Sequence, residues 1–319
     1  MSKTIWQKEL QESITSIEQL TEALKVVLPF KINQHFPIKA TPLYVSLIEK
    51  SNPFDPLLLQ IICPSTQPLP SFTESPLKEE DFSNIPGLIH KYHSRVLILL
   101  STHCFIHCQY CFRQHFPYQD HSLSSENWDK IIEYIKNNQN IDEVILSGGD
   151  PLSVGSKYLQ KIIKDIETIP HVKTLRFHTR ILSVLPARLD DELFNILKST
   201  LLNVVIVTHI NHPNEICEEN RAVFQRLANV ATLLNQSVLL KHINDHAKTL
   251  AQLSHALFSC KIIPYYLHFL DPVKGSEFYH LSPETALAIV SDLKSLLSGY
   301  LMPRFVKEEP GKQSKTVMT

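Results

Sequence analysis

Hydrophobic and polar positions follow two different periods along this chain. From residue 95 onward, short continuous apolar runs alternate with longer stretches whose apolar residues recur every third or fourth position. Short apolar runs bounded by turn residues read as buried strands, and the longer spacing reads as amphipathic helix. The pattern predicts strands at 95–100 (RVLILL), 143–147 (EVILS), 172–178, 202–208 (LNVVIVT), 237–243 and 264–269. It predicts helices at 125–138, 157–168, 190–199, 220–234, 247–259 and 283–297, the first with Ser125 as its N-cap. Six strand–helix units in series imply an α/β fold with a parallel sheet and helices outside it. Six are too few for a closed eightfold barrel. An open (β/α)6 barrel and a doubly wound sheet both satisfy the order, and both place chemistry at the C-terminal ends of the strands.

Outside that series the chain is less regular. Residues 1–87 read as a helical and irregular extension, with amphipathic helix over 5–27, an apolar run at 57–62 and a proline- and serine-rich surface connection at 67–86. Residues 88–300 form the repeating domain and 301–319 a tail. The 31 basic and 32 acidic residues nearly cancel, so bulk charge points to no nucleic-acid or membrane partner. No apolar run is long enough to span a bilayer and the first ten residues hold no signal-peptide core, so the expected location is cytoplasmic. Six cysteines in 319 residues make no disulfide scaffold.

Three of those cysteines change the picture. Cys104, Cys108 and Cys111 follow the first predicted strand with C-x3-C-x2-C spacing. Iron–sulfur clusters are held by thiolates, and three on one loop leave one iron of a cubane open to a ligand. Zinc held by the three thiols with His103 or His107 is the competing reading, that of a non-enzymatic binding protein. Cys63, Cys217 and Cys260 are isolated and read as small hydrophobes.

With Phe112 and Arg113 behind it, the cysteine motif resembles that of the radical S-adenosylmethionine superfamily. The resemblance implies a partial (β/α)6 barrel, a [4Fe–4S] cluster and S-adenosyl-L-methionine, whose cleavage yields a 5′-deoxyadenosyl radical. Ser147-Gly148-Gly149-Asp150-Pro151, after the second strand, resembles the family's glycine-rich motif for the methionine amino group. Two glycines there let the strand edge approach a ligand.

Further segments from about residue 87 to 316 resemble the lysine 2,3-aminomutase family, most of all its short bacterial branch. That branch makes β-lysine for elongation factor P, to which a separate lysyl ligase attaches it. Positions matching Lys91, Tyr92 and Arg95 help hold pyridoxal 5′-phosphate in that family, and Arg113 matches the residue that binds the substrate carboxylate. The run from His209 to Glu215 (HINHPNE) and Gln236 match positions near the adenosyl group. Asp271 and Glu308 match the acidic partners of the lysine ε-ammonium. Lys315 matches the Schiff-base lysine, with Lys312 as its rival three residues earlier. Without the resemblance, each charge would read as a solvated surface group. Two positions depart from the family: Phe278 stands where a histidine is usual, and Val317 where a proline is.

The implied reaction converts L-α-lysine to β-lysine by a 1,2 amino shift, with reducing power from an electron donor such as a flavodoxin. The chain's stop just past Lys315 favours the elongation-factor branch. The alternatives are a radical aminomutase acting on another amino acid and a modifier of RNA or protein. Near-neutral charge weighs against RNA, and the acidic pair weighs against an acidic substrate.

Overall fold

The computed structural model describes residues 4–33, 35–121 and 123–319. One sheet holds nine strands in consecutive order. They are β1 (Leu88–Tyr92), β2 (Arg95–Ser101), β3 (Glu143–Gly148), β4 (Thr174–Thr179), β5 (Asn203–Thr208), β6 (Thr232–Val238), β7 (Ile263–His268), β8 (Arg304–Lys307) and β9 (Thr316–Val317). β2 to β8 pair in parallel, while β1 and β9 run antiparallel at the two edges. A doubly wound sheet reverses its strand order at a switch point. This order never reverses, so the sheet is an open, partial barrel.

Helices α1 (Ile5–Gln11), α2 (Ile17–Leu24), α3 (Pro42–Ser46) and α4 (Leu58–Ile61) lie in the N-terminal extension. α5 (Ser125–Asn137), α6 (Ser156–Glu167), α7 (Ile181–Val184), α8 (Asp191–Ser199), α9 (Glu218–Leu227), α10 (Ala247–Ser259) and α11 (Pro283–Leu296) follow the strands. Their apolar stripes face the sheet. On α6, Leu159, Ile162, Ile163 and Ile166 are all buried, at the spacing one helix face requires. Alternate residues of the strands point inward instead: Ile145 and Ser147, Arg176 and His178, Tyr266 and His268 line one cavity.

Three sequence expectations need correction. The N-cap of α5 is Ser124, whose hydroxyl accepts from the Asn127 amide. The helix expected over 220–234 stops at Leu227, and the strand expected at 237–243 is β6, beginning at Thr232. Asn235 broke the apolar pattern there, just before Ser237, where the strand was expected to begin. Both are buried but satisfied, since Asn235 Nδ2 and Ser237 Oγ donate to the Ile210 carbonyl. Residues 239–243 instead turn, with His242 at φ 67°. Finally, six parallel strands become seven, because β8 adds to β7.

Candidate active site

Fifteen of the residues singled out from the sequence line one cavity of about 440 Å³ inside the sheet. Cys104, Cys108 and Cys111 lie on the loop after β2. The N-terminal extension fastens this loop from outside: Lys39 Nζ donates to the Cys104 carbonyl at 2.9 Å, and the Gln109 amide to the Gln60 carbonyl at 3.0 Å. Burial pushes the Cys104 thiol up, with Asp150, Cys111 and Cys108 adding to the effect. Burial and then Cys108 push Cys111 up to about 12. Three half-buried cysteines on one loop fit a group bringing several positive charges of its own, as an iron–sulfur cluster does. His103 is exposed, and His107 Nδ1 turns to the Pro37 carbonyl.

Gly148 and Gly149 serve a different neighbour from the one expected. A Cβ on Gly148 would stand 2.2 Å from the Ser101 carbonyl oxygen, and one on Gly149 would stand 2.4 Å from that of His103. Both glycines therefore make room for the backbone of the cysteine loop. The Gly149 and Asp150 amides donate to those same two carbonyls, at 2.6 and 2.8 Å. Asp150 also departs from expectation. Its carboxylate accepts from Thr179 Oγ1 and from the amides of Leu152, Arg180 and Ile181, leaving it a brace between β3 and β4.

Arg180, at the end of β4, carried no sequence signal beyond its place after a strand. It is buried, pairs with Glu215 at 2.8 Å, and donates from Nη1 to Cys108 Sγ at 2.8 Å. Tyr110, Gln60 and Asn211 complete its buried network. His209 lies beside Tyr110, its Nε2 3.4 Å from the phenol oxygen, and burial with Arg180 lowers its pKa to about 3. Gln236 lines the same wall of the cavity.

The far end of the cavity is basic. Lys91 and Tyr92 stand on β1, and Arg95 opens β2 with its guanidinium 4.1 Å from the Tyr92 ring centre. The β8–β9 hairpin brings Lys315 to face them. Glu308 gathers these groups. Lys315 Nζ donates to its Oε2 at 2.5 Å, Tyr92 OH to its Oε1 at 2.6 Å, and Lys91 pairs with the same Oε1. Burial opposes its charge, but Lys315, Lys91 and Tyr92 outweigh that and hold Glu308 down at about 2. Glu308 is thus a counter-ion to the two lysines, where a free partner for a substrate ammonium was expected. Lys312 is exposed on the turn and lines no part of the cavity.

Asp271, after β7, has the opposite character. Burial raises its pKa to about 7, with Glu308 and Glu79 adding to the rise and Lys315 opposing it. His178 and His268 also line the cavity, each with an unpartnered Nε2 and each held neutral by burial. An aldehyde cofactor carrying a phosphate fits this end. One lysine and two further cations are present, together with unsatisfied ring nitrogens for its polar atoms.

Arg113 was expected to bind the substrate carboxylate. Instead its Nε and Nη2 donate to Glu79 at 2.6 and 2.7 Å. The two departures from the family pattern lie off the cavity: Phe278 stacks on His242 with ring centres 4.8 Å apart, and Val317 is exposed on β9.

Comparisons with known proteins agree with this geometry. Residues 98–238 match the Radical SAM superfamily. A protein of Buchnera aphidicola subsp. Baizongia pistaciae named L-lysine 2,3-aminomutase is 45% identical, over 98% of this chain and 95% of its own. The L-lysine 2,3-aminomutase of Escherichia coli K12 is 40% identical, over 99% and 94%. That of Clostridium subterminale is 36% identical, over 98% and 77%. Identity of this size across nearly the whole of both short relatives means that the chain belongs to the L-lysine 2,3-aminomutase family of the radical SAM superfamily.

Proposed function

We propose that this protein is an isomerase that converts L-α-lysine to β-lysine by a 1,2 amino shift, using a [4Fe–4S] cluster on Cys104, Cys108 and Cys111, S-adenosyl-L-methionine and pyridoxal 5′-phosphate. The observation that carries the reading is one cavity lined by three cysteines, one lysine close to its own counter-ion and one uncompensated aspartate. When bound, the cluster with S-adenosylmethionine would supply radical chemistry at substrate Cβ, and pyridoxal phosphate would supply the carbonyl chemistry that lets the amino group move.

The chain's own residues do the rest. Lys315 is the amine that carries pyridoxal phosphate. Glu308 keeps its charge balanced and directs it into the cavity. Lys91 and Arg95 supply the charge that suits a phosphate, with Tyr92 beside them. Arg113 receives the substrate's carboxylate, and Asp271 receives its ε-ammonium. Anchoring lysine at both ends fixes Cβ against the radical source, where a misplacement of about 1 Å can cost on the order of a hundredfold in rate. Gly148 and Gly149 hold the cysteine loop against β3. His209 and Gln236 face the adenosyl side. An electron donor such as a flavodoxin reduces the cluster, and the β-lysine formed serves the lysyl ligase that modifies elongation factor P.

The test is anaerobic turnover of the reconstituted protein with L-lysine, pyridoxal phosphate, S-adenosylmethionine and a strong reductant. β-Lysine that vanishes in both Cys108→Ala and Lys315→Ala supports the reading. Adenosylmethionine cleavage without β-lysine would keep the radical scaffold and reject lysine as substrate.

A further inference from the structure

We propose that Glu79 is a built-in stand-in for the substrate's α-carboxylate, and that the need to replace it restricts the cavity to ligands that carry a free carboxylate. The inference rests on the reading of Arg113 as the carboxylate receptor.

A guanidinium has five N–H donors. In Arg113, Nε and one Nη2 proton meet Glu79 at 2.6 and 2.7 Å, while Nη1 faces Ser147 Oγ at 3.2 Å and the Gly148 carbonyl at 3.4 Å. One Nη2 proton is left. Two-point recognition of a carboxylate needs two parallel N–H groups on one edge of the fork. The edge that could supply them is the edge Glu79 holds, so a substrate carboxylate gains its fork only by taking Glu79's place.

The exchange is balanced in charge. Arg113 is buried, with 7% of its side chain exposed, and a buried guanidinium left without a partner is strongly unfavourable. An incoming amino acid replaces one carboxylate with another. A diamine, or a lysyl side chain within a protein, brings no carboxylate and would strand Arg113 if it pushed Glu79 aside. Glu79 therefore stays in place against such ligands.

The segment that carries Glu79 is built to move. It is anchored at Thr73, whose amide donates to the Pro272 carbonyl and whose carbonyl accepts from the Lys274 amide, both at 2.9 Å. It is held again at Ser83, whose hydroxyl lies 3.2 Å from His121 Nδ1. Between these anchors, among the described residues, its backbone amides bond only within the segment, from Asp81 to Lys78 and from Ser83 to Glu80. Leu77 and Phe82 on this strap line the same cavity, so lifting Glu79 off Arg113 also widens the substrate's entrance. Glu79 already has 17% of its side chain exposed, so it has water to move into.

The experiment measures equilibrium binding of L-lysine and of its decarboxylated analogue, 1,5-diaminopentane, to cluster- and pyridoxal-loaded protein without reductant. Wild type, Glu79→Gln and Arg113→Lys are compared, with iron content and thermal unfolding as checks on folding. The expected result is L-lysine bound several-fold more tightly by Glu79→Gln than by wild type, diamine affinity little changed, and L-lysine weakened by Arg113→Lys. Hydrogen exchange of residues 74–82 in wild type should rise on adding L-lysine and not on adding the diamine. If Glu79→Gln weakens L-lysine while Arg113→Lys also does, Glu79 orients Arg113 permanently and the stand-in is overturned, with the carboxylate receptor intact. If neither variant changes L-lysine binding, Arg113 is not the receptor and both readings fall.

Discussion

Arg180 Nη1 lies 2.8 Å from Cys108 Sγ while Nη2 of the same guanidinium pairs with Glu215 at 2.8 Å. A buried cation is thus aimed at one thiol of the cysteine loop, and its position is set by a carboxylate from the loop after β5. Groups that hold a metal ligand in place typically matter 10–100-fold to metal retention, as an order of magnitude. Arg180→Gln should lower iron and sulfide per chain after anaerobic reconstitution, by roughly tenfold or more in cluster affinity. Arg180→Lys should restore part of it. Unchanged iron content in Arg180→Gln would make the contact incidental.

Gly149 gives a steric test of the same loop. A Cβ there meets the His103 backbone at 2.4–2.7 Å, with no flexible side-chain end to yield. Gly149→Ala should destabilise the fold by about 1–3 kcal/mol, as overpacking does, and should release iron. Thermal unfolding and iron analysis check both. Gly155, with nothing near its Cβ, is the control position, and Gly155→Ala should leave iron content unchanged.

Lys315 lines the cavity and Lys312, three residues earlier, does not. Lys315→Ala should abolish the visible absorbance of bound pyridoxal phosphate and leave S-adenosylmethionine cleavage measurable. Lys312→Ala should keep the absorbance. The reverse pattern would move the cofactor lysine to Lys312 and contradict the β8–β9 geometry.

Asp271 and Glu308 predict opposite responses to pH. Asp271 has its pKa raised to about 7, so its ionisation costs stability, which falls as pH rises from the ordinary carboxylate range to about 7. Glu308 is lowered to about 2, so its contribution is present above the ordinary range and is lost as pH falls toward about 2. In the proposed function the substrate ammonium binds the ionised form of Asp271. The KM for L-lysine should therefore rise as pH drops through about 7 and flatten above it. Asp271→Asn should raise KM at every pH and erase that slope; a slope that survives would assign it to another group.

Much of the site was legible because its chemistry is carried by short, ordered motifs. C-x3-C-x2-C, the paired glycines, the run from His209 to Glu215 and Lys315 each sit at a strand end or in the tail, and one cavity gathers them. Strand β6 was misplaced because Asn235 looks like a loop residue until the Ile210 carbonyl that accepts from it is in view. Arg180, Glu79, His178 and His268 were missed for a related reason. Single polar residues acquire meaning only from neighbours far away in the chain, such as the 34 positions between Glu79 and Arg113.

By itself, then, the sequence determined the class of fold and the residue types that meet at the cavity, because periodicity and motif spacing are local properties, while the neighbour order of the strands came from the structure. Tertiary structure alone decided which of those charges are free. Glu308 is spent on Lys315 and Lys91, Asp150 on the turn after β4, and Arg113 on Glu79, while Asp271 has no ion pair among the described residues. Pairing depends on distance and burial, and in a barrel both are set by strands and straps that meet from opposite ends of the chain.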